Sequence, residues 1–305
     1  MLNHRVSSVR LASLAGSLLL AIAATAGAAT PAADASAGGP GTYRYETFDY
    51  PGASQTILWG INDLGELSGQ YALPGQPAHA MVYRRGRFEA LDADGVLGAH
   101  FSAAGGPNDL GLLYGAYADA SGAQHGFEIV WGEVQDVDFP GHLNSNVDGV
   151  NLFGAIAGVY WDADGVYHGM LRRYGRDTPI EVTGARDTYP LGIGNDGTIV
   201  GYWDTNPAQP RGFVRAPNGR YTTIDAPDAL ATVTFTTNDL GQIVGYSVDT
   251  SGTFHGFVLS RGRFQPIDMP GAKGTFATTI NNFGVVAGEY LDDSGARHGF
   301  VASPW

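Results

Sequence analysis

The sequence predicts an all-β protein, a six-bladed β-propeller made of four-stranded antiparallel blades. Three observations predict this fold. A segment of about 43 residues recurs six times; each copy holds four short apolar runs separated by Gly-containing turns; and no long segment after the N-terminus shows helical periodicity. The 305 residues include 45 Gly and no Cys, which is typical of a turn-rich chain that is not held together by disulfides.

Two landmarks keep the same period along the chain. An Asn opens the first turn of each copy, in steps of 46, 43, 44, 43 and 43 residues, at Asn62, Asn108, Asn151, Asn195, Asn238 and Asn281. The first residue of a His-Gly-Phe triplet recurs in the same rhythm, at His79, His125, His168, Arg211, His255 and His298. Because the two landmarks agree, the copies are true repeats and each is expected to be one structural unit.

The N-terminal region has the pattern of a secretory signal peptide. Arg5 and Arg10 precede an apolar run over residues 11–23, which is short for a membrane-spanning helix, and small residues follow it. We predict a signal peptide over residues 1–28, a flexible lead-in over residues 29–42, and one propeller domain over residues 43–305. Export to the periplasm or the extracellular space is the expected localisation.

The charge balance limits the class of partner. The formal net charge is −13, and it becomes −13 − 2 = −15 once the two arginines of the signal peptide are removed. An acidic surface repels nucleic acid and anionic lipid. The sequence therefore predicts no nucleic-acid partner and no membrane association after cleavage.

Each copy divides into four strands, as the fifth copy shows. Its apolar runs cover residues 232–237, 243–248, 254–259 and 263–267, and the turns between them carry Asn, Asp and Gly, which tolerate the positive φ of tight hairpins. A meander with two apolar faces has to be covered on both sides. Arranging the copies radially covers both faces and leaves only short edges.

The two ends of the chain are predicted to complete one blade. The sixth copy lacks a fourth strand, and residues 43–52 match the fourth strand and following loop of the fifth copy. We therefore predict that residues 43–48 pair beside residues 296–302 and close a six-bladed ring.

With these motifs in place, the chain resembles the bacterial secreted repeat proteins named after a His-Ala-Phe motif. The first copy carries His79-Ala80-Met81, and the other copies prefer His-Gly-Phe, with Met170 and Arg211 as departures. The resemblance covers residues 43–305. It implies export and a repeat fold, and it implies no established reaction.

The recurring His residues are predicted to be structural. Each opens a third strand near the Asp of the preceding turn and near the Asp that ends a fourth strand, and imidazole and carboxylate satisfy one another. Arg211 can serve the same carboxylate. The alternative is a ring of metal sites or catalytic dyads. The residues concerned are His125, His168, His255, His298, Asp138, Asp225 and Asp268.

One face of the propeller is predicted to be acidic. The Asp-Xaa-Xaa-Gly turns and the Asp-Xaa-Pro-Gly loops share that face, which gathers Asp94, Asp138, Asp164, Asp228, Asp268 and Asp293. Asp caps such turns through its own side chain, and the turns lack the ligand run of an EF-hand. No metal site is assigned; Ca²⁺ is the candidate ion.

Residues that break the repeat are the better functional candidates. Three positions before each turn Asn stand Trp59, Gly105, Asp148, Gly192, Phe235 and Thr278. Asp148 is the only charge in that row, and with Asn146, Trp59, Phe235 and Arg186 it forms the predicted ligand-binding set. His142 and His100 join Asp148 as catalytic candidates. The alternative is a solvated Asp148 in a water-filled channel, with Trp59 and Phe235 as core.

The leading hypothesis is a monomeric, non-catalytic binding protein whose ligand, a glycan, a cation or a protein, binds at the acidic channel mouth. Two alternatives remain open: a metal-assisted hydrolase or lyase centred on Asp148, and a structural or adhesion repeat of the cell surface. The chain has no Gly-Xaa-Ser-Xaa-Gly, His-Glu-Xaa-Xaa-His or phosphate-loop motif. Scattered Asp, Asn and His residues would leave no such signature.

Overall fold

The computed structural model describes residues 43–91, 101–139, 141 and 144–305, and over these ranges it contains 24 strands and no helix. The strands form six antiparallel four-stranded sheets arranged as blades. The predicted six-bladed propeller is thereby confirmed. No helix long and apolar enough to cross a membrane occurs in the described ranges.

The strands follow the repeat. The strand that closes the ring, β1, is Tyr43–Thr47. Blade 1 consists of β2 to β5, at Gln55–Ile61, Leu67–Ala72, Ala78–Arg84 and Arg87–Ala90. Blade 2 consists of β6 to β9, at Phe101–Gly105, Leu113–Ala118, Gln124–Val130 and Glu133–Asp136. Blade 3 consists of β10 to β13, at Ser145–Val150, Ile156–Trp161, Tyr167–Arg173 and Arg176–Ile180.

The second half repeats the pattern. Blade 4 consists of β14 to β17, at Asp187–Ile193, Ile199–Asp204, Arg211–Arg215 and Tyr221–Ile224. Blade 5 consists of β18 to β21, at Ala231–Thr237, Ile243–Val248, Phe254–Ser260 and Arg263–Ile267. Blade 6 contains β22, β23 and β24, at Gly274–Ile280, Val286–Leu291 and Arg297–Pro304.

The N-terminal strand completes blade 6, as predicted. β1 runs antiparallel to β24, with Tyr43 opposite Pro304 and Thr47 opposite Phe300. The backbone N–H of Phe48 continues the ladder by donating to the Gly299 carbonyl at 2.8 Å. The pairing joins the two ends of the chain and leaves no blade short of a strand.

The His-Gly-Phe triplet is a packing motif. In blade 2, a Cβ added to Gly126 would lie 2.6 Å from the Val137 carbonyl oxygen and 3.0 Å from a methyl group of Val147 in blade 3. The next residue, Phe127, is fully buried and lies opposite Gly115 of the neighbouring strand. The Gly lets adjacent blades approach, and the Phe fills the space over the second strand.

A hydroxyl on each inner strand also ties neighbouring blades together. The hydroxyl oxygens of Thr56, Thr188 and Thr232 accept hydrogen bonds from backbone N–H groups six residues earlier, at 3.0, 3.3 and 2.9 Å. The full set stands six positions before the residue that opens the first turn, which in blade 4 is Gly194: Thr56, Ser102, Ser145, Thr188, Thr232 and Thr275. The sequence reading did not identify this repeated tie.

The predicted register of blade 4 was wrong by one residue. The Gly194 N–H donates to the Thr198 carbonyl, as the Asn62 N–H donates to that of Glu66, so Gly194 occupies the turn-Asn position. Asn195 stands one position later. A bulge between Pro190 and Gly192 places Leu191, and not Gly192, in the inner row. The row therefore reads Trp59, Gly105, Asp148, Leu191, Phe235 and Thr278.

Candidate ligand-binding site at the channel mouth

The inner-row side chains point to the axis of the propeller. In five blades the row residue lies at a β-bulge, which leaves it unpaired and re-aims its side chain. Trp59 and Phe235 come from blades that are not neighbours, yet their ring centroids lie 6.2 Å apart. Leu191 belongs to the same apolar cluster. The row therefore fills the central channel at one level.

Asp148 brings a carboxyl group into this apolar level. It is only 1% exposed, and neither side-chain oxygen has a hydrogen-bond partner. Burial raises its pKa well above the ordinary value, because a charged carboxylate loses its hydration there. An isolated buried carboxyl group of this kind is costly unless water, an ion or a ligand group satisfies it.

Tyr114 lies beside this carboxyl group. A Cβ added to Gly105, the row residue of blade 2, would lie 2.5 Å from a ring carbon of Tyr114, so the Tyr ring occupies the space that Gly105 leaves. Burial raises the pKa of the Tyr114 phenol, and the charge of Asp148 raises it further. The phenol and the carboxyl group are thus electrostatic neighbours at one level of the channel.

An open cavity lies above this level, at the face formed by the six first turns. Its lining comes from all six blades and includes Tyr114 and also Gly149, the residue after Asp148. Asp148 is not part of the lining and is buried below the cavity, next to the lining residue Gly149. This mouth lies at the opposite end of the channel from the Asp-Xaa-Pro-Gly loops, which precede the inner strands. The sequence predicts binding at the end that carries those loops.

The first tier of the cavity wall is made of the turn Asn residues. The Asn281 amide donates to the Asn62 carbonyl at 3.1 Å, and the Asn238 amide donates to the Asn281 carbonyl at 2.9 Å. In the five turns that carry this Asn, its side-chain oxygen accepts two backbone N–H groups, as Asn281 does from Phe283 and Val285 at 3.0 Å. The Asn thus stabilises its own turn and links that turn to the next blade, so its role is structural.

The second tier, here called the rim ring, consists of the next residue in each blade: Asp63, Asp109, Leu152, Asn195, Asp239 and Asn282. The Asn282 amide donates to Asp63 at 3.0 Å and to Asp239 at 3.1 Å. Asn195 donates to Asp239 at 2.8 Å. The ring presents three carboxylates at the mouth, and Leu152 is its one apolar member.

The structure distributes the predicted site residues unevenly. Asp148, Trp59 and Phe235 lie together in the channel. Asn146 is fully buried on the same strand, with neither amide atom bonded, and the indole N–H of Trp59 is likewise buried without a partner. Arg186 lies at the opposite end of its blade, where it pairs with Asp187. His100, His142 and Asp94 fall outside the described residues.

Four of the recurring His residues lie between two carboxylates, at His125, His168, His255 and His298. In blade 2, His125 Nδ1 lies 2.8 Å from Asp138 and Nε2 lies 3.6 Å from Asp119, while the ring stacks on Tyr117. His255 repeats the arrangement with Asp268 and Asp249 at 3.1 and 3.4 Å.

The other copies vary the partners. His298 pairs with Asp49 at 2.7 Å, whereas His168 has Glu181 and Asp162 at 3.5 Å. Arg211 pairs with Asp225 through two guanidinium nitrogens. Within the described ranges, no group of three or more His, Asp or Glu residues is arranged to hold a metal ion.

Two buried acidic groups were not identified from the sequence. Asp204 stands directly across the strand pair from Asp187, and burial followed by the charge of Asp187 raises the pKa of Asp204 to about 6. Glu289 is buried in blade 6 and pairs with Arg297 at 2.6 Å. Both lie on strand faces that pack between blades, so they belong to the scaffold rather than to the cavity.

Comparison with known proteins supports the propeller fold and nothing more specific. No family model and no curated protein matches the chain. A putative TolB from Agrobacterium tumefaciens is 13% identical, with a TM-score of 0.57 over 86% of this chain and 91% of that chain. The β-propeller domain of the Trilobed protease from Pyrococcus furiosus is 11% identical, with a TM-score of 0.51 over 82% and 81%. TolB from Acinetobacter baumannii is 10% identical, with a TM-score of 0.50 over 78% and 63%. Identities this low carry no information about ligand or activity.

Proposed function

We propose that this protein is an exported, non-catalytic binding protein that holds its ligand in the cavity at the first-turn mouth, above Asp148. The observation that carries the proposal is the Asp148 carboxyl group, buried next to the cavity-lining residue Gly149 with both oxygens unpartnered. Buried polar groups in folded proteins are nearly always satisfied. A ligand group entering the cavity would supply the missing partner.

The surroundings of Asp148 favour binding over catalysis. Trp59, Phe235 and Leu191 form an apolar level around a single carboxyl group, and the neighbouring Tyr114 has its pKa raised, so it resists deprotonation. A concave, partly apolar site with few convergent polar groups is typical of ligand recognition. The hydrolase alternative relied on His142 and His100, which lie outside the described residues.

Export and membership of the His-Ala-Phe repeat proteins form part of this proposal. They rest on the signal-peptide pattern of residues 1–28 and on the recurring triplets. Secretion is tested by expressing the full chain in a bacterial host and determining the N-terminus of the protein recovered outside the cytoplasm. A mature N-terminus near residue 29 supports the proposal, and retention of residues 1–28 on a cytoplasmic product contradicts it.

The binding site is tested by closing the cavity. The side chain of Leu152 is the apolar member of the rim ring, so Leu152→Trp narrows the mouth without removing a polar side-chain contact. Leu230→Trp, on an exposed position of the opposite face, is the matched control. Panels of sugars, amines, carboxylic acids and peptides are screened by thermal shift and native mass spectrometry. The proposal predicts hits that are lost in Leu152→Trp and kept in Leu230→Trp; hits that survive in both, or no hits at all, contradict it.

A further inference from the structure

Five exposed apolar side chains surround the cavity mouth. Each is the third residue of a first turn, and each is 70–77% exposed; together they form the turn-tip ring: Leu64, Leu110, Phe153, Leu240 and Phe283. Blade 4 has Asp196 in the corresponding place. Single exposed apolar residues are ordinary, but large apolar side chains repeated around one mouth mark an interaction surface.

The turn-tip ring encloses an acidic centre. Every tip residue directly follows a member of the rim ring, in which Asp63, Asp109 and Asp239 carry the charge. Below the rim, the Asp148 carboxyl group lacks a partner. The mouth therefore offers an apolar collar, a carboxylate rim and a buried acid along one axis.

We propose that this mouth docks a segment of a partner protein that inserts a basic side chain into the cavity and lays flanking apolar side chains on the turn-tip ring. The proposal rests on the proposed function and names its ligand class. The aliphatic stem of a Lys side chain suits the apolar level of Trp59 and Phe235, while its ammonium group suits the carboxylates. Interfaces of this kind combine a buried anchor with an apolar surround.

Other occupants fit this chemistry less well. A metal ion requires several oxygen ligands, and in the part of the chain that the structure describes no group of three or more His, Asp or Glu residues is arranged to hold one. A free polyamine satisfies the acids and leaves the apolar collar in water. An anionic membrane is repelled by the acidic rim. A peptide with a basic centre and apolar flanks satisfies both features.

The test uses three fluorescently labelled peptides and the folded chain from residue 29 at about 0.15 M salt, where unscreened surface attraction is weak. The parent peptide is acetyl-Phe-Leu-Lys-Leu-Phe-amide. One variant replaces Lys with norleucine, and the other replaces the four flanking residues with Gly. Fluorescence anisotropy is expected to show the parent binding at least about tenfold more tightly than either variant, since each loses one of the two interactions.

Variants of the protein make the charge and apolar contributions separable. Asp148→Asn should weaken the parent peptide about tenfold and leave the norleucine peptide unchanged. Leu152→Asp should tighten the parent, with Leu152→Asn as the neutral control. Phe283→Ser should weaken the parent, whereas Leu230→Ser, on the opposite face, should not.

Several results would overturn the proposal. Equal affinity of the parent and norleucine peptides would contradict the role of the charge. Equal affinity of the parent and Gly-flanked peptides would contradict the role of the apolar flanks, as would complete competition by spermidine with no effect of Phe283→Ser. The absence of any peptide binding would contradict the whole proposal. If the screen still finds a small molecule that Leu152→Trp excludes, only the peptide proposal fails. If Leu152→Trp excludes no ligand of any class, the binding function fails as well.

Discussion

At the scale of single residues, symmetry separates scaffold from function. The turn Asn residues and the inner-strand hydroxyl groups recur because every blade must be joined to the next. The His–Asp ties recur because every blade must hold its own turns and loops. Asp148 recurs nowhere, and no scaffold contact satisfies either oxygen of its carboxyl group. This is why Asp148 could be selected from the sequence, whereas the rim ring could not: its members differ from blade to blade, and only the fold brings them together.

Replacing Asp148 should stabilise the ligand-free protein. The pKa of Asp148 is raised in the folded state, so the folded protein loses stability as pH rises above the unfolded value of about 3.8, up to the folded pKa. Asp148→Asn does not titrate and should therefore be more stable than wild type by about 1–3 kcal/mol at pH 7.5, with a smaller advantage at pH 4.5. Urea unfolding at the two pH values measures this. A variant less stable than wild type at pH 7.5 would show that the carboxylate is satisfied in the folded protein.

The His–Asp ties should also make the stability depend on pH, around the pKa of the His rather than that of a carboxyl group. The hydrogen bond to Asp138 raises the pKa of His125; burial opposes this, and the charges of Asp138 and Asp119 add to it. Stability from a raised His pKa is fully present below about 6.5 and is lost as pH rises through the folded value. The difference in Tm between wild type and His125→Asn should therefore be larger at pH 6 than at pH 9. Its control is Asp138→Asn, which should lower the pKa of His125 in an NMR titration. An equal Tm difference at both pH values would refute this account.

At the scale of strands and turns, the sequence predicted most elements because apolar runs and Gly-containing turns alternate at a fixed spacing. The predicted register was wrong in blade 4, where Gly194 occupies the turn position and the adjacent Asn195 was assigned to it instead. The sequence also could not identify the Asp187–Asp204 pair, because which residues face one another depends on a bulge that shifts the register. The choice of mouth was equally out of reach, since no local pattern distinguishes the two ends of the channel.

The Gly of the His-Gly-Phe triplet should be intolerant of a side chain where the next blade presses on it. Gly126→Ala places a methyl group against Val147 and the Val137 carbonyl, so we expect a loss of about 1–3 kcal/mol in the free energy of unfolding. Blade 1 carries Ala80 at the same position, and Ala80→Gly is the matched control, expected to cost about 1 kcal/mol or less. Chemical denaturation of both variants measures the difference; equal losses would argue against the packing role.

At the scale of the whole molecule, closure of the ring joins residues at the two ends of the chain. β1 hydrogen-bonds along β24, and Asp49 pairs with His298 just beyond it. Because the central cavity draws its lining from all six blades, its shape depends on that closure. The sequence predicted the closure because the last copy lacked one strand and the N-terminal region matched it.

Removing the closing strand should therefore cost cooperative folding. A chain starting at Ser54 lacks β1 and Asp49 and leaves the edge of β24 unpaired. Compared with a chain starting at Thr42, it should lose its single cooperative transition, or melt at least about 10 °C lower, in differential scanning calorimetry. An unchanged transition would show that blade 6 is stable with three strands.

The central claim is that the mouth formed by the first turns binds a positively charged group above Asp148. The measurement that tests it most directly is the affinity of the lysine peptide for Leu152→Asp relative to Leu152→Asn. A fourth carboxylate in the rim ring should tighten binding by about fivefold or more, a gain that misfolding cannot produce. Equal or weaker binding to Leu152→Asp would contradict the claim.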